Sequence, residues 1–292
     1  MTSSPYPNTT VTVRLAQLAA NVLLTAILLM GLSCSLAAPA LAQSSVDSRT
    51  RLERPPADRV RTSLRLDMVT RKFELSNNDG TIANDAPFYP GARIGLELFP
   101  VAIFARDSVA AGLGIQVEFG KHDVSTVTDI ETGPDDFTTV KVPTRHDTTW
   151  LSLVYELAVS NRVTIIPVVG WRVHEYALGY NPLYGNTFYR GIDFGAGVRF
   201  QAHPLVALQA AVGLRPGTSL GSTAQAWGDS ASAFGFGIDS GVRVRAPFGL
   251  LADAGIRYEA YNTRYVPGDS GIPATTSRDS FFSILLSIGY AY

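Results

Sequence analysis

Hydrophobic and polar residues alternate with a period of two along most of the chain from residue 61 onwards. In 192–200 the even-numbered positions are apolar, and the odd-numbered positions are aspartate, glycine or arginine. Successive side chains of a β-strand point to opposite faces, so the pattern predicts strands with one apolar and one polar face. It recurs in ten segments, at about 62–74, 91–99, 109–121, 146–158, 162–174, 190–201, 204–215, 233–246, 248–262 and 280–292.

The connections between these segments alternate in length. Those after the second, fourth, sixth and eighth segments are short, and those after the odd-numbered segments are long. Most segments reach the roughly 9–11 residues that a tilted strand needs to cross a bilayer. The sequence therefore predicts an all-β, antiparallel transmembrane β-barrel of ten strands, with eight to twelve possible, short periplasmic turns and long extracellular loops.

A soluble β-sandwich shows the same alternation, but its apolar face points into the core and its polar face meets water. The polar face here consists mainly of glycine and of charges of both signs, which favours a membrane barrel with a polar lumen. A periplasmic sandwich stays open as the alternative.

Composition narrows the class of protein. Charged residues make up 17% of the chain, against about 25% in ordinary soluble domains. The net charge is -1, which argues against a nucleic-acid partner. A single cysteine excludes a disulfide framework and a multi-cysteine zinc site.

The N-terminal region is typical of an export signal. Arg14 precedes a long apolar run that ends in Ala40-Leu41-Ala42. We expect cleavage after Ala42, with an uncleaved membrane anchor as the alternative. The predicted organisation is a signal peptide (1–42), a flexible periplasmic lead-in (43–60) and an outer-membrane barrel (61–292).

The C-terminal segment places six apolar or aromatic residues on one face and stops on an aromatic residue. It resembles the C-terminal strand of Gram-negative outer-membrane β-barrel proteins, and with the other strands the resemblance covers the architecture but identifies no particular member. The resemblance implies location in the cell outer membrane, contact with its lipid, and recognition of this strand by the barrel-assembly machinery. The six residues are Phe282, Ile284, Leu286, Ile288, Tyr290 and Tyr292.

The polar positions of the alternating strands, which face the lumen, carry both acidic and basic residues. A charge inside a low-dielectric wall is costly unless it is paired, so we expect cross-strand salt bridges. Ten strands enclose a narrow interior, so a plugged or very narrow lumen is expected and a wide porin is excluded. The predicted lumen charge network is Arg65, Asp67, Arg93, Glu97, Glu118, Glu156, Arg172, Asp193, Arg199, Asp239, Arg243, Asp253, Arg257 and Glu259.

Three histidines occupy lumen-facing positions of the alternating pattern, near the outer ends of strands three to five. A turn centred on Pro134 would place His122 opposite His146, and a turn centred on Ser160 would place His146 opposite His174. Such a cluster could bind a metal or act as a proton switch. The alternative, an ordinary hydrated rim, is preferred, and no metal, cofactor or catalytic residue is predicted.

Two long connections carry further candidates. The acidic stretch 129–136 supplies oxygen ligands suited to Ca²⁺ but lacks EF-hand spacing. Its flanks alternate, so a hairpin extending above the membrane is expected instead. The aromatic stretch Tyr176–Tyr189 is either an external binding surface or a group packed across the barrel mouth.

The leading functional hypothesis is a structural or surface-interaction barrel with a narrow, salt-bridged lumen. A small selective channel is the alternative, and an outer-membrane hydrolase with a site at the rim is the third hypothesis. Omptin-type barrel proteases need a His–Asp pair at the rim. In each of the adjacent pairs His122-Asp123 and His146-Asp147, the two side chains point to opposite faces of the strand. No omptin motif is recognisable either, so we expect no enzymatic activity.

Overall fold

Antiparallel β-strands account for most of the structure, which is a computed structural model that describes residues 58–77, 80–106, 108–133, 136–178, 187–220, 230–266 and 274–292. The predicted signal peptide and most of the lead-in lie outside these residues. The strands are β1 (Val60–Asn77), β2 (Thr81–Leu98), β3 (Leu113–Gly133), β4 (Asp136–Tyr155), β5 (Leu157–Ala158), β6 (Val163–Leu178), β7 (Thr187–His203), β8 (Val206–Thr218), β9 (Ser230–Arg245), β10 (Leu250–Val266) and β11 (Ala274–Ala291).

The sheet closes on itself. Sequential strands pair antiparallel, β1 pairs with β11, and β4 pairs with β6. Strand β5 continues β4 by two residues and pairs with β6, so the barrel has ten strands. The prediction of a closed antiparallel ten-stranded barrel is confirmed.

Short connections lie at one end of the barrel. Between β2 and β3 the chain forms helix α1 (Pro100–Phe104) and a 3₁₀ turn (Val109–Gly112). The prediction that the third strand begins at about residue 109 was therefore wrong, because residues 109–112 form this turn and β3 begins at Leu113. Ser108 caps the turn by accepting a hydrogen bond from the Ala110 amide. Among the described residues, no helix is long and apolar enough to span a membrane.

The outer face of the barrel carries a broad apolar belt. Leu66 is 61% exposed and Leu286 is 59% exposed, which is the surface that a lipid bilayer covers. Above the belt the outer face becomes charged, with Lys121, Asp123 and Arg145 exposed. The predicted C-terminal residues lie on this outer face, with Phe282 half-buried against Phe88 and the other five exposed: Ile284, Leu286, Ile288, Tyr290 and Tyr292.

The interior is ionic and aromatic rather than aliphatic. Buried charged residues fill most of its length. Three apolar clusters lie towards its ends, one near the short turns and two towards the long connections, the outer of which consists of Phe73, Leu75, Tyr265 and Ala274. The cluster near the short turns consists of Phe99, Ala102, Ala111 and Val154. The inner of the two clusters towards the long connections includes Tyr89, Tyr176, Tyr189, Tyr261 and Phe281.

Candidate functional site in the barrel lumen

The lumen contains stacked tiers of ion pairs, beginning at the short-turn end. Arg61 contacts Asp58 at 2.7 Å, Glu97 at 2.9 Å and Glu156 at 2.6 Å. Arg199 reaches Glu156 from the opposite wall at 3.0 Å. These five residues form the lower tier, which connects β1 and β2 to β7.

A single carboxylate organises the middle of the lumen. Glu118 accepts hydrogen bonds from Arg65 at 2.9 Å, Arg93 at 3.1 Å and Arg257 at 3.3 Å. Arg93 also pairs with Asp67. Since Glu118 lies on β3 and Arg257 on β10, this middle tier spans the barrel.

A second carboxylate organises the tier above. Glu259 Oε1 lies 2.6 Å from Arg172 and 2.9 Å from Arg215. Asp193 faces the same two arginines, at 3.7 Å and 3.3 Å. All four side chains are at most 5% exposed, so the charges balance one another away from solvent.

Every residue of the predicted charge network makes at least one ion pair inside the barrel. The pairs not yet described are Arg257 with Asp239 and Arg243 with Asp253. Together with the three tiers they bring in Arg65, Asp67, Arg93, Glu97, Glu118, Glu156, Arg172, Asp193, Arg199, Asp239, Arg243, Asp253, Arg257 and Glu259.

Five buried charged residues of the interior lie outside the predicted charge network: Asp58, Arg61, Arg71, Arg215 and Asp279. Arg61 and Asp279 each lie one residue outside a predicted strand, because β1 and β11 extend beyond the segments that alternation delimits. Asp58 was assigned to the flexible lead-in, but it pairs with Arg61 and with Arg245. Continuing the strand parity outward would have identified Arg61 and Asp279.

The uppermost ion pair is completely buried. Arg71 on β1 donates to Asp279 on β11 from Nε at 2.8 Å and from Nη2 at 2.7 Å. Tyr189 donates to the same carboxylate at 3.1 Å, and Arg71 also donates to Thr187 at 3.1 Å. The guanidinium lies 3.9 Å from the ring centroid of Tyr176, a cation–π contact across the lumen.

The three histidines lie together between the ionic tiers and this upper pair. The ring centroids of His122 and His146 are 4.4 Å apart, and those of His146 and His174 are 4.6 Å apart. His122 is directly opposite His146, as predicted. The predicted pairing of His146 with His174 was wrong, because Thr148 faces His174: the turn is centred one residue further along the chain, which shifts the partner by two residues.

The hydrogen bonds of the histidines connect the two walls. His122 contacts the backbone oxygen of His146 and a carboxylate oxygen of Asp67, both at 3.1 Å. Both partners are hydrogen-bond acceptors, so the His122 ring links the β4 backbone to Asp67 on β1. His146 contacts the Tyr89 hydroxyl at 2.9 Å and His174 Nε2 at 2.7 Å.

Aromatic rings close this level of the barrel. The Phe281 ring centroid lies 4.2 Å from that of His174 and 5.2 Å from that of His146. Tyr189 stacks on Tyr261 at 4.0 Å. We call His122, His146, His174, Tyr89, Tyr176, Tyr189, Tyr261 and Phe281 the histidine–aromatic layer; each of these residues is at most 3% exposed.

Two expectations about the long connections are resolved in part. Tyr176 and Tyr189 belong to strands β6 and β7 and are buried in the lumen, so for these two residues the alternative of packing within the barrel holds and that of an external surface does not. Residues 179–186 lie outside the described residues. The acidic stretch 129–136 belongs largely to a β3–β4 hairpin, whose side chains are not described.

The ring nitrogens of the histidines contact protein groups and one another. Among the described residues, no group of three or more histidine, cysteine, aspartate or glutamate side chains could hold a metal ion. The direct Nε2–Nε2 contact of His146 and His174 satisfies those nitrogens without a ligand. What the cluster provides is a hydrogen-bonded layer across the lumen.

The architecture is similar to that of solved outer-membrane barrels. The outer membrane protease OmpT from Escherichia coli has a TM-score of 0.50 and 6% identity, over 81% of this chain and 97% of that chain. The translocator domain of the autotransporter NalP from Neisseria meningitidis has a TM-score of 0.40 and 9% identity, over 89% and 98%. No protein-family model and no curated protein sequence matches the chain.

The likeness concerns the fold alone. Combined with the apolar belt and the charged lumen, it defines a closed, antiparallel ten-stranded β-barrel with the architecture of outer-membrane barrel proteins.

Proposed function

We propose that the chain is a non-conducting outer-membrane barrel that serves as a structural scaffold for its extracellular segments. The observation that carries this proposal is the histidine–aromatic layer, which spans the lumen with side chains that are almost completely buried. An ion path would need a continuous column of water at this level. The stacked rings and the hydrogen bonds between them occupy this level of the lumen.

The ionic tiers below support the same conclusion. Glu118 and Glu156 each bind arginines from more than one wall, so long side chains cross the interior. A ten-stranded barrel is only slightly wider than an eight-stranded one, whose interior is filled by side chains. Opening it would require buried ion pairs to separate, at a cost of several kcal/mol for each.

The extracellular side offers a platform for interactions. Beyond the His122–His146 pair, β3 and β4 continue to pair until Glu131 faces Phe137. Nine further residues per strand at about 3.4 Å each extend the hairpin by roughly 30 Å. We propose that such projections make the external contacts, that outer-membrane lipid covers the belt, and that the assembly machinery reads the C-terminal strand.

A hydrolytic role is not part of this proposal. Asp67 and His122 form the carboxylate–imidazole pair that a general base would need, yet both side chains are 0% exposed. A polypeptide substrate could not reach them without displacing the layer. The structure provides no open rim at which these histidines face solvent.

Conductance in planar bilayers tests the proposal. The purified full chain is expected to give no stable current steps. Phe281→Ala, which removes an inward ring of the layer, should introduce a leak current, whereas Phe282→Ala, which removes the neighbouring outward ring, should not. Reproducible current steps from the unmodified barrel would overturn the proposal in favour of the small channel.

A further inference from the structure

A cavity of about 210 Å³ lies in the half of the lumen nearer the short turns. Its wall on β7, β8 and β9 includes several glycines, among them Gly197, Gly213 and Gly241, so the backbone itself forms part of this side. The other sides carry charged residues of the tiers. Natural barrels of this width usually fill the interior with side chains, so the glycine wall leaves space that the chain does not use.

Several buried donors on residues that line this cavity have no partner. Among the described residues, the indole nitrogen of Trp150 and the Nε atoms of Arg172 and Arg199 make no hydrogen bond. Arg215 Nε and Asp193 Oδ1 make none either, but they face each other as an ion pair at 3.3 Å. Arg172 is only 4% exposed and lies over the Trp150 ring at 5.3 Å. Buried N–H groups are nearly always satisfied, so three unpartnered donors around one cavity indicate a missing acceptor.

The charge of the lining also favours an acceptor. Six arginines border the cavity, including Arg172, Arg199, Arg215 and Arg243, against five carboxylates. Donors with fixed guanidinium geometry match the paired oxygens of a carboxylate or phosphate. A cation would instead meet the unpartnered N–H groups and increase their cost.

The cavity is reached from the short-turn end. The side chains of Glu97 and Arg199 are 24% and 17% exposed there, whereas those of Arg172 and Asp193 at the inner end are 4% and 5% exposed. The histidine–aromatic layer lies beyond that inner end. A ligand therefore enters from the periplasmic side and stops below the layer.

We propose that this cavity is a binding site for a small oxyanion, with a carboxylate of about eight non-hydrogen atoms as the best fit. The size follows from comparison with a cavity of about 150 Å³, which accommodates benzene. The oxyanion accepts hydrogen bonds from Trp150, Arg172 and Arg199, with its remaining atoms against the glycine wall. The site does not depend on the barrel being closed to ions.

Fluorescence of Trp150 gives a direct test. Substituting the other two tryptophans, as Trp171→Phe and Trp227→Phe, leaves Trp150 as the sole indole in the folded, detergent-solubilised full chain. Succinate and inorganic phosphate are titrated as the oxyanion probes, and succinamide as the uncharged match for succinate. Succinate is expected to change the emission saturably, and succinamide is not.

Two variants, Gly197→Met and Arg199→Gln, test the location of the site, and Ala196→Met is the control. Gly197→Met places a side chain in the cavity, where a Cβ meets only ordinary contacts, the nearest at 3.4 Å. Ala196→Met adds the same group to the lipid-facing side of the same strand. Arg199→Gln removes one donor while Glu156 keeps Arg61. Unboiled gel mobility confirms that each variant is folded.

Succinate binding should be abolished by Gly197→Met, weakened at least tenfold by Arg199→Gln and retained by Ala196→Met. Tighter binding of phosphate than of succinate would support the oxyanion site and identify phosphate as its source. The proposal is overturned if no probe binds, if succinamide binds as well as succinate, or if Gly197→Met leaves binding unchanged, because the cavity then holds only water.

Discussion

Removing the carboxylate of Asp279 would isolate a buried arginine. In the folded barrel this carboxylate accepts two hydrogen bonds from Arg71 and one from Tyr189. The side chains of Arg71 and Asp279 are 2% and 0% exposed, so water cannot replace the lost partner. In Asp279→Leu, Arg71 loses its carboxylate partner and keeps the Thr187 hydroxyl and the rings of Tyr176, Phe73 and Phe281.

The expected cost follows from this burial. Breaking a buried ion pair by removing one partner destabilises a protein by about 3–5 kcal/mol, because an uncompensated charge remains. Replacing both partners with apolar residues of similar volume is often close to neutral. We therefore expect Asp279→Leu to lower the free energy of unfolding by about 3–5 kcal/mol, and the double variant with Arg71→Met to recover most of this loss.

Equilibrium urea titration of the barrel in lipid vesicles, followed by tryptophan emission, measures these free energies. The matched control is the outward pair Lys72 and Glu74 on the same strand, 2.7 Å apart and 49% and 36% exposed. Replacing both Lys72 and Glu74 should change the free energy of unfolding by less than about 1 kcal/mol. The reasoning fails if Asp279→Leu costs no more than this control, or if adding Arg71→Met deepens the loss.

Three further outcomes are expected. The unboiled chain should migrate faster than the boiled chain on a detergent gel, because a closed barrel stays compact; identical mobility would contradict closure. Gly91 is directly opposite His122, whose imidazole occupies the space that a Cβ would take, so Gly91→Ala should destabilise the barrel by about 1–3 kcal/mol, measured by urea titration, with equal stability contradicting the packing. The contact between His146 and His174 at 2.7 Å needs one nitrogen without a proton, so stability should be present at neutral pH and fall below about pH 6. The temperature at which the unboiled band disappears measures this, and His174→Gln should reduce its pH dependence.

Much of the barrel could be predicted because membrane strands obey a simple rule. A residue on such a strand faces either lipid or lumen, so parity alone assigns residues such as Glu118 and Arg257 to the interior. The same rule placed His122, His146 and His174 on the inward face. It underestimated strand length, since the strands continue beyond the apolar belt, and it therefore missed Asp279.

The alternation of the sequence by itself determined the number of strands, the faces of the strands and the charged character of the lumen. These properties depend only on the chemistry of each residue and the two-residue period of a strand. Tertiary structure decided which charges meet, because Arg61 reaches Glu156 and Arg257 reaches Glu118 across the barrel, between strands distant in sequence. It also decided the register of His174, since a register shift of two residues keeps the same face while changing the partner. The histidine–aromatic layer and the cavity beneath it are consequences of that closure, which brings side chains from opposite walls within contact distance.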